Sequence, residues 1–197
     1  MAVVATPKLM TSEELLALPD DGVERWLMNG VLRERYPEMI EGRPMTVRNR
    51  FHSKSLINVG TELKTWLRLQ PSPRGDVLGG EAGVRLRVDP EVVVGIDVVY
   101  ISHEVLLHQA DTTKLVDGIP VLAVEILSPS DTIDNIVEKI RTYLEFGVQL
   151  VWIVDPYNQT VTVYSRGDKP RLFNVDDVLS AEPFLPGFRA PVSRFFD

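Results

Sequence analysis

The segment from residue 119 to residue 155 restricts the fold more tightly than any other part of this chain. IPVLAVEIL reads as a strand, and the SPSD that follows supplies a proline and a capping Ser130 or Asp131 to open a helix. That helix is expected to run to Phe146, with Ile136, Ile140, Tyr143 and Leu144 on its inward face and Gly147 as its C-cap. VQLVWIVD then resumes as a buried strand. A strand, a helix and a strand in this order form a crossover, and crossovers join parallel strands with right-handed connections. The predicted class is therefore mixed α/β, one sheet with helices packed on it.

The flanking segments fit the same plan. Thr11-Ser12-Glu13-Glu14 has the capping-box pattern of a short leading helix, ended by Pro19-Asp20-Asp21-Gly22. Asn29-Gly30 lies between two apolar-containing runs and offers the positive φ angles of a tight hairpin. From about Arg48 to Leu69, the residues Leu56, Val59, Leu63, Trp66 and Leu67 recur at helical spacing until Pro71 and Pro73 stop the pattern. Val84, Leu86 and Val88 alternate with Arg85 and Arg87 as a half-buried strand, Asp89-Pro90 turns, and VVVGIDVVYI follows as a more continuously apolar strand. TVTVY is expected at an edge. A chain of 197 residues with no Gly/Ser/Pro-rich linker reads as a single domain, with a helix and hairpin over 1–47 and a core over 48–197.

Composition narrows the chemistry. With no cysteine, disulfides, thiolate nucleophiles and Cys-based zinc sites are excluded, and a metal would need oxygen or imidazole ligands, which favours magnesium or manganese. The opening residues lack the basic and apolar stretches of a signal peptide, and no run approaches the ~18 apolar residues of a membrane span, so a cytoplasmic location without membrane contact is expected. A formal charge of −7 disfavours non-specific nucleic-acid binding over the whole surface. No P-loop, GxGxxG or Ser-centred nucleophile motif is present, which leaves phosphoryl transfer to water as the reaction class best served.

Asp97 and Glu125 stand inside runs of valine, isoleucine and leucine, where an ionised carboxylate is costly unless it is paired or binds a cation. On their own each could equally face outward or end a strand. Lys139 bears on the choice. From Glu125 the chain climbs five or six residues at roughly 3.3 Å each and the helix returns at about 1.5 Å per residue, which brings Lys139 back towards the level of Glu125. A solvated helix face, or a pair with Glu138 or Asp134, would account for the same lysine.

AVEILSPSD followed by EKIRTYLEFGVQLVWIVDP resembles the signature of the Uma-type restriction endonuclease-like family, a branch of the PD-(D/E)xK nuclease superfamily. The likeness extends from LPDDGVERWLMNGVL through GIDVVYIS to FLPGFRAPVSRFF, nearly the whole chain. It implies a restriction endonuclease-like mixed central β-sheet flanked by helices, and a magnesium- or manganese-dependent endonuclease acting on DNA. By the same resemblance, Asp97 and Glu125 are the metal-binding acids, the backbone carbonyl of Ile126 is a third ligand, and Lys139 is a catalytic lysine moved onto the helix. The superfamily's usual lysine position holds Leu127 here, the usual proline before the aspartate is Ile96, and the aspartate often found near the helix lysine is Asn135, with Asp134 beside it.

The resemblance also points to Glu24 and His52 as accessory residues, although Glu24 could pair with Arg25 or Arg33 and His52 could cap or be partly buried. Glu81, after Gly79-Gly80, reads as a loop residue, and Trp26, Trp66 and Trp152 read as core. Between Arg33 and Arg74 nine basic residues face four acidic ones, and Arg48, Arg50 and Lys54 are the candidates there to hold a phosphate backbone. Two rival classes stay open. One is a binding module of the same fold with little or no hydrolytic activity. The other is a structural or regulatory partner, for instance in a homodimer, that packs FLPGFRAPVSRFF on another subunit.

Overall fold

The computed structural model describes residues 8–36, 39–40, 43–44, 49–110 and 112–197. Helix α1 (Ser12–Leu16) precedes the hairpin β1 (Glu24–Met28) and β2 (Val31–Arg35), and β3 (Met39–Ile40) and β4 (Arg43–Pro44) form a small pair. Helix α2 (Arg50–Leu69) leads into β5 (Asp76–Val88), β6 (Glu91–Ile101), the short α3 (His103–Leu106) and β7 (Val116–Asp117). The crossover follows as β8 (Leu122–Ile126), α4 (Ile133–Phe146) and β9 (Leu150–Asp155). Strands β10 (Thr160–Ser165), β11 (Arg171–Phe173), β12 (Val178–Ser180) and β13 (Arg189–Pro191), then a 3-10 turn over Val192–Phe195, complete the chain.

The main sheet runs β11-β10-β9-β8-β6-β1-β2, with β5 beside β6 and β7 beside β5. β8 and β9 are parallel, as the crossover requires, and most other pairings are antiparallel. All five residues of β8 are buried because both faces of the sheet are covered. Leu122, Val124 and Ile126 pack with Val59, Leu63 and Trp66 of α2, whereas Ala123 packs with Ile140 and Tyr143 of α4. By alternation, Glu125 falls on the α4 side.

β6 determines where the sheet opens. β5 pairs with it along its whole length, while its other edge meets β8 only at Val98–Tyr100 and β1 only at Val93. Between those two contacts the strand edge is unpaired by backbone, and Asp97 stands there.

The local expectations hold at the leading capping box, where Thr11 and Glu14 exchange hydrogen bonds, and at the hairpin turn, where Asn29 and Gly30 have φ of 54° and 73°. Several details differ. Helix α2 starts at Arg50 because the Asn49 side chain caps it by accepting from the His52 N–H. Thr132, rather than Ser130 or Asp131, caps α4, since the Asp131 carboxylate turns back to accept from the Ser128 N–H. TVTVY is not an edge strand: β11 covers it, with Val161 opposite Phe173. Strand β5 begins at Asp76, well before the alternating arginines, so Gly79-Gly80-Glu81 is a bulge within a strand and not a loop. Val88, at the end of the alternation, is 66% exposed. In FLPGFRAPVSRFF, Leu185, Phe188 and Phe195 are buried against Trp152 and Trp66, so these side chains complete the chain's own core and are not presented to a second subunit.

Two glycines give opposite expectations. Gly147, at φ of 101°, ends α4 in the left-handed region, whereas a Cβ on Gly60, within α2, would have no heavy atom within 4 Å. Gly147→Ala should lower the unfolding free energy by about 1 kcal/mol, and Gly60→Ala should raise it by about 0.5–1 kcal/mol, both read by urea denaturation. Equal effects of the same sign would contradict this reading of the two backbones.

Candidate active site

Asp97 and Glu125 are 5% and 7% exposed, and both meet specific partners. Before Val98, β6 does not pair with β8, and the N–H of Ile126 donates instead to Asp97 Oδ2 at 2.8 Å. The side chain substitutes for the missing strand. Oδ1 of Asp97 lies 3.2 Å from Nε2 of His52, which the first turn of α2 carries into the interior. The other imidazole nitrogen of His52, Nδ1, is buried and has no hydrogen-bond partner among the described residues.

On the α4 side, Lys139 and Tyr143 are four residues apart and therefore share a face. Lys139 Nζ donates to Glu125 Oε2 at 2.7 Å, and the Tyr143 hydroxyl donates to Oε1 at 2.5 Å. The helical return anticipated from the sequence thus brings Lys139 to Glu125, and neither Glu138 nor Asp134 is its partner. Burial pushes the Glu125 carboxyl above its ordinary range, an effect that Lys139 and the Tyr143 hydrogen bond oppose and nearby Asp97 reinforces. Burial would also raise Asp97, but its hydrogen bond and attraction to His52, with smaller help from Ile126 and Lys139, hold it below its ordinary value. For Lys139, burial favours the neutral amine, yet Glu125, Glu24 and Asp97 together raise it, so it remains a cation.

Glu24 reaches the same place from the hairpin. It stands directly opposite Arg35 across β1 and β2, accepts from Arg35 Nε at 2.7 Å, and approaches Lys139 Nζ to 3.8 Å. Arg35 also pairs with Asp131, which ties the hairpin to the loop between β8 and α4. Arg25 and Arg33 are occupied elsewhere, by Asp21 and Glu34 and by Glu138 respectively.

Asp97, Glu125, Lys139, Glu24 and His52 thus come together from five separate elements. Arg50 and Lys54 lie exposed at the start of α2, and Arg48 is outside the described residues. Tyr143, Arg35 and Asp131 were not singled out as site residues in the sequence. Tyr143 was legible as a neighbour of Lys139 one helical turn on, but its apolar setting reads as core. Arg35 and Asp131 carry no local signal. Trp26, expected in the core, is only half-buried and lines a cleft of about 450 Å³ together with Glu24, His52, Asn49, Lys139 and Tyr143. The two buried carboxylates lie behind that lining, and a second space of about 10 Å³, near the lower limit for one water, is bounded by Glu125, Ile126, Asp131 and Lys139.

Comparison with known proteins places the chain. The sequence model of the Uma2 family, described as "Putative restriction endonuclease", matches residues 21–193. The chain belongs to the Uma2 family. A crystal structure described as a "putative nuclease belonging to DUF820" from Anabaena variabilis superposes with a TM-score of 0.73 at 18% identity, covering 95% of this Uma2 chain and 97% of that one. At that identity the likeness establishes the fold. No curated protein matches. Among the described residues of this Uma2 chain, no helix is long and apolar enough to cross a membrane.

The donor set can be tested against a divalent ion. Among the described residues no group of three His, Asp or Glu side chains is arranged to hold one. The ion pairs joined through Lys139 and Arg35 nevertheless contain Glu125, Glu24 and Asp131, a formal excess of one negative charge, beside the separate Asp97–His52 pair. Each carboxylate oxygen of Asp97 and Glu125 has one protein partner and a further lone pair. Magnesium is commonly held by one or two carboxylates, keeping waters and substrate oxygens for its other positions. Two buried carboxylates match the number of acidic ligands such an ion commonly takes from a protein.

The Lys139–Glu125 pair also yields a stability test. Lys139→Met leaves Glu125 buried without its cation and should cost about 3 kcal/mol, while the double variant Lys139→Met with Glu125→Gln should recover most of that loss. Denaturation of all four proteins checks the pair; a double variant as unstable as the sum of the single effects would show that the two residues act independently.

Proposed function

We propose that this Uma2 chain is a metal-dependent endonuclease that hydrolyses DNA phosphodiester bonds, with Asp97 and Glu125 as metal ligands, the Ile126 carbonyl as a third, and Lys139 as the catalytic cation. The observation that carries the reading is the buried Glu125–Lys139 contact beside Asp97, at the opening between β6 and β8. Membership of a restriction endonuclease family and the nuclease-like fold support it.

When bound, a magnesium or manganese ion would supply Lewis-acid charge that polarises the scissile phosphate. The protein's own groups then have distinct tasks. Asp97 is kept ionised by His52 and the Ile126 N–H, so it is ready to bind a cation without a proton being removed. Lys139 stands where its ammonium can orient an attacking water and offset the charge that builds on the phosphate. Tyr143 fixes the second oxygen of Glu125 and so limits rotation of that carboxylate. Glu24, held by Arg35, adds a carboxylate on the cleft side of Lys139.

One observation favours the alternative of a binding module with little turnover: all four oxygens of Asp97 and Glu125 already have protein partners, which any bound cation must share. Incubation of supercoiled plasmid with magnesium or manganese separates the two. Nicking is expected from the wild-type protein, with a loss of at least about a hundredfold in Glu125→Ala and Lys139→Ala, in line with removal of a transition-state charge partner. An inactive wild type that still binds metal would decide for the binding module, and activity that survives both substitutions would remove Glu125 and Lys139 as its source.

A further inference from the structure

The start of α2 and the turn after β9 build a feature that the catalytic reading does not use. Phe51 and Tyr157 are 46% and 48% exposed, and their rings are 5.8 Å apart at an interplanar angle of 59°. The guanidinium of Arg50 lies 5.1 Å from the centre of the Phe51 ring, and Lys54 is exposed one helical turn on.

Neither ring is left to move freely. Phe51 belongs to the first turn of a twenty-residue helix, whose cap Asn49 also donates from Nδ2 to the Tyr157 hydroxyl at 3.1 Å. Tyr157 sits in a turn fixed by Asp155, whose Oδ1 accepts from the backbone N–H of Tyr157 and of Asn158 at 2.9 and 3.0 Å. Asn49, which bonds Tyr157, and His52, the neighbour of Phe51 in the chain, both line the cleft that Lys139 also lines, so the aromatic pair adjoins two of its lining residues. The turn after β9 and the loop after β8 leave the same end of two parallel strands, the end at which open α/β sheets bind their ligands.

From this arrangement we infer that Phe51, Tyr157 and Arg50 form a stacking platform for unpaired nucleobases, and that the preferred substrate of the site is a single-stranded or locally unpaired stretch of nucleic acid. The inference rests on the nuclease reading and narrows its substrate. Rigid exposed aromatic rings beside basic side chains are the means by which single strands are held without sequence preference, because every base offers a π face. In a duplex those faces are covered by neighbouring bases, and the rings would have nothing to stack on. Arg50 and Lys54 supply positive charge for the backbone beside the rings, on a chain whose total charge is −7.

Binding can be measured without cleavage, by fluorescence anisotropy of labelled oligo-dT, oligo-U and a blunt duplex of equal length in EDTA, at fixed moderate salt. The wild type should bind the single strands more tightly than the duplex. Phe51→Ala and Tyr157→Ala should each weaken single-strand binding on the order of tenfold, with little change for the duplex. Tyr157→Phe, which keeps the ring, should retain most of the affinity, and an unchanged melting curve excludes misfolding as the cause. Ring-dependent binding of either oligomer supports the platform. Equal affinity for duplex and single strand, single-strand binding indifferent to both ring removals, or no binding by the wild type would overturn it. Since no step requires turnover, a protein that binds in this way yet never nicks plasmid would refute the nuclease reading alone.

Discussion

Two buried carboxylates held within one sheet are the constraint around which the rest of this structure is arranged. Leaving Asp97 and Glu125 ionised and unpaired among valine and isoleucine would consume a large part of a domain's margin of stability, so each is met by donors that arrive in register. α2 delivers His52, α4 delivers Lys139 and Tyr143, and the interrupted pairing of β6 and β8 frees the N–H of Ile126. The helices are thus fixed to the sheet by polar contacts at one point as well as by their apolar faces.

The hairpin extends this network outward. Glu24 and Arg35 face each other because the Asn29-Gly30 turn sets the register of β1 and β2, and Arg35 then reaches Asp131 beyond β8. A local turn therefore fixes a carboxylate 3.8 Å from Lys139, a residue more than a hundred positions later in the chain. The arrangement leaves more acid than base, which is the electrostatic condition under which a cation binds. Arg50 and Lys54, by contrast, are exposed at the start of α2.

Much of the fold was legible because its signals are local. The crossover from β8 to β9, the capping box at Thr11, the positive φ at Asn29 and Gly30, and the apolar stripe of α2 all depend on residues within a few positions of one another. The misreadings have the opposite character. Whether Thr160–Ser165 is an edge depends on β11 lying beside it, and whether Gly79-Gly80 belongs to a loop depends on β6 continuing opposite. Thr132 caps the helix in place of Ser130 or Asp131 because Asp131 is engaged both by the nearby Ser128 N–H and by Arg35, ninety-six residues earlier.

The same division holds for the site. Sequence alone determined that Asp97 and Glu125 would sit in apolar strands, since the runs around them can only be buried, and that the return of the helix would carry Lys139 back towards Glu125, since strand and helix have fixed rises. Tertiary structure alone decided which oxygen meets which donor, that Tyr143 is a site residue and not merely core, that Glu24 is turned towards Lys139, and that Phe51 and Tyr157 form one exposed pair. Those outcomes depend on contacts between segments tens of residues apart, and no pattern along the chain encodes the distance between two side chains that only the packed sheet brings together.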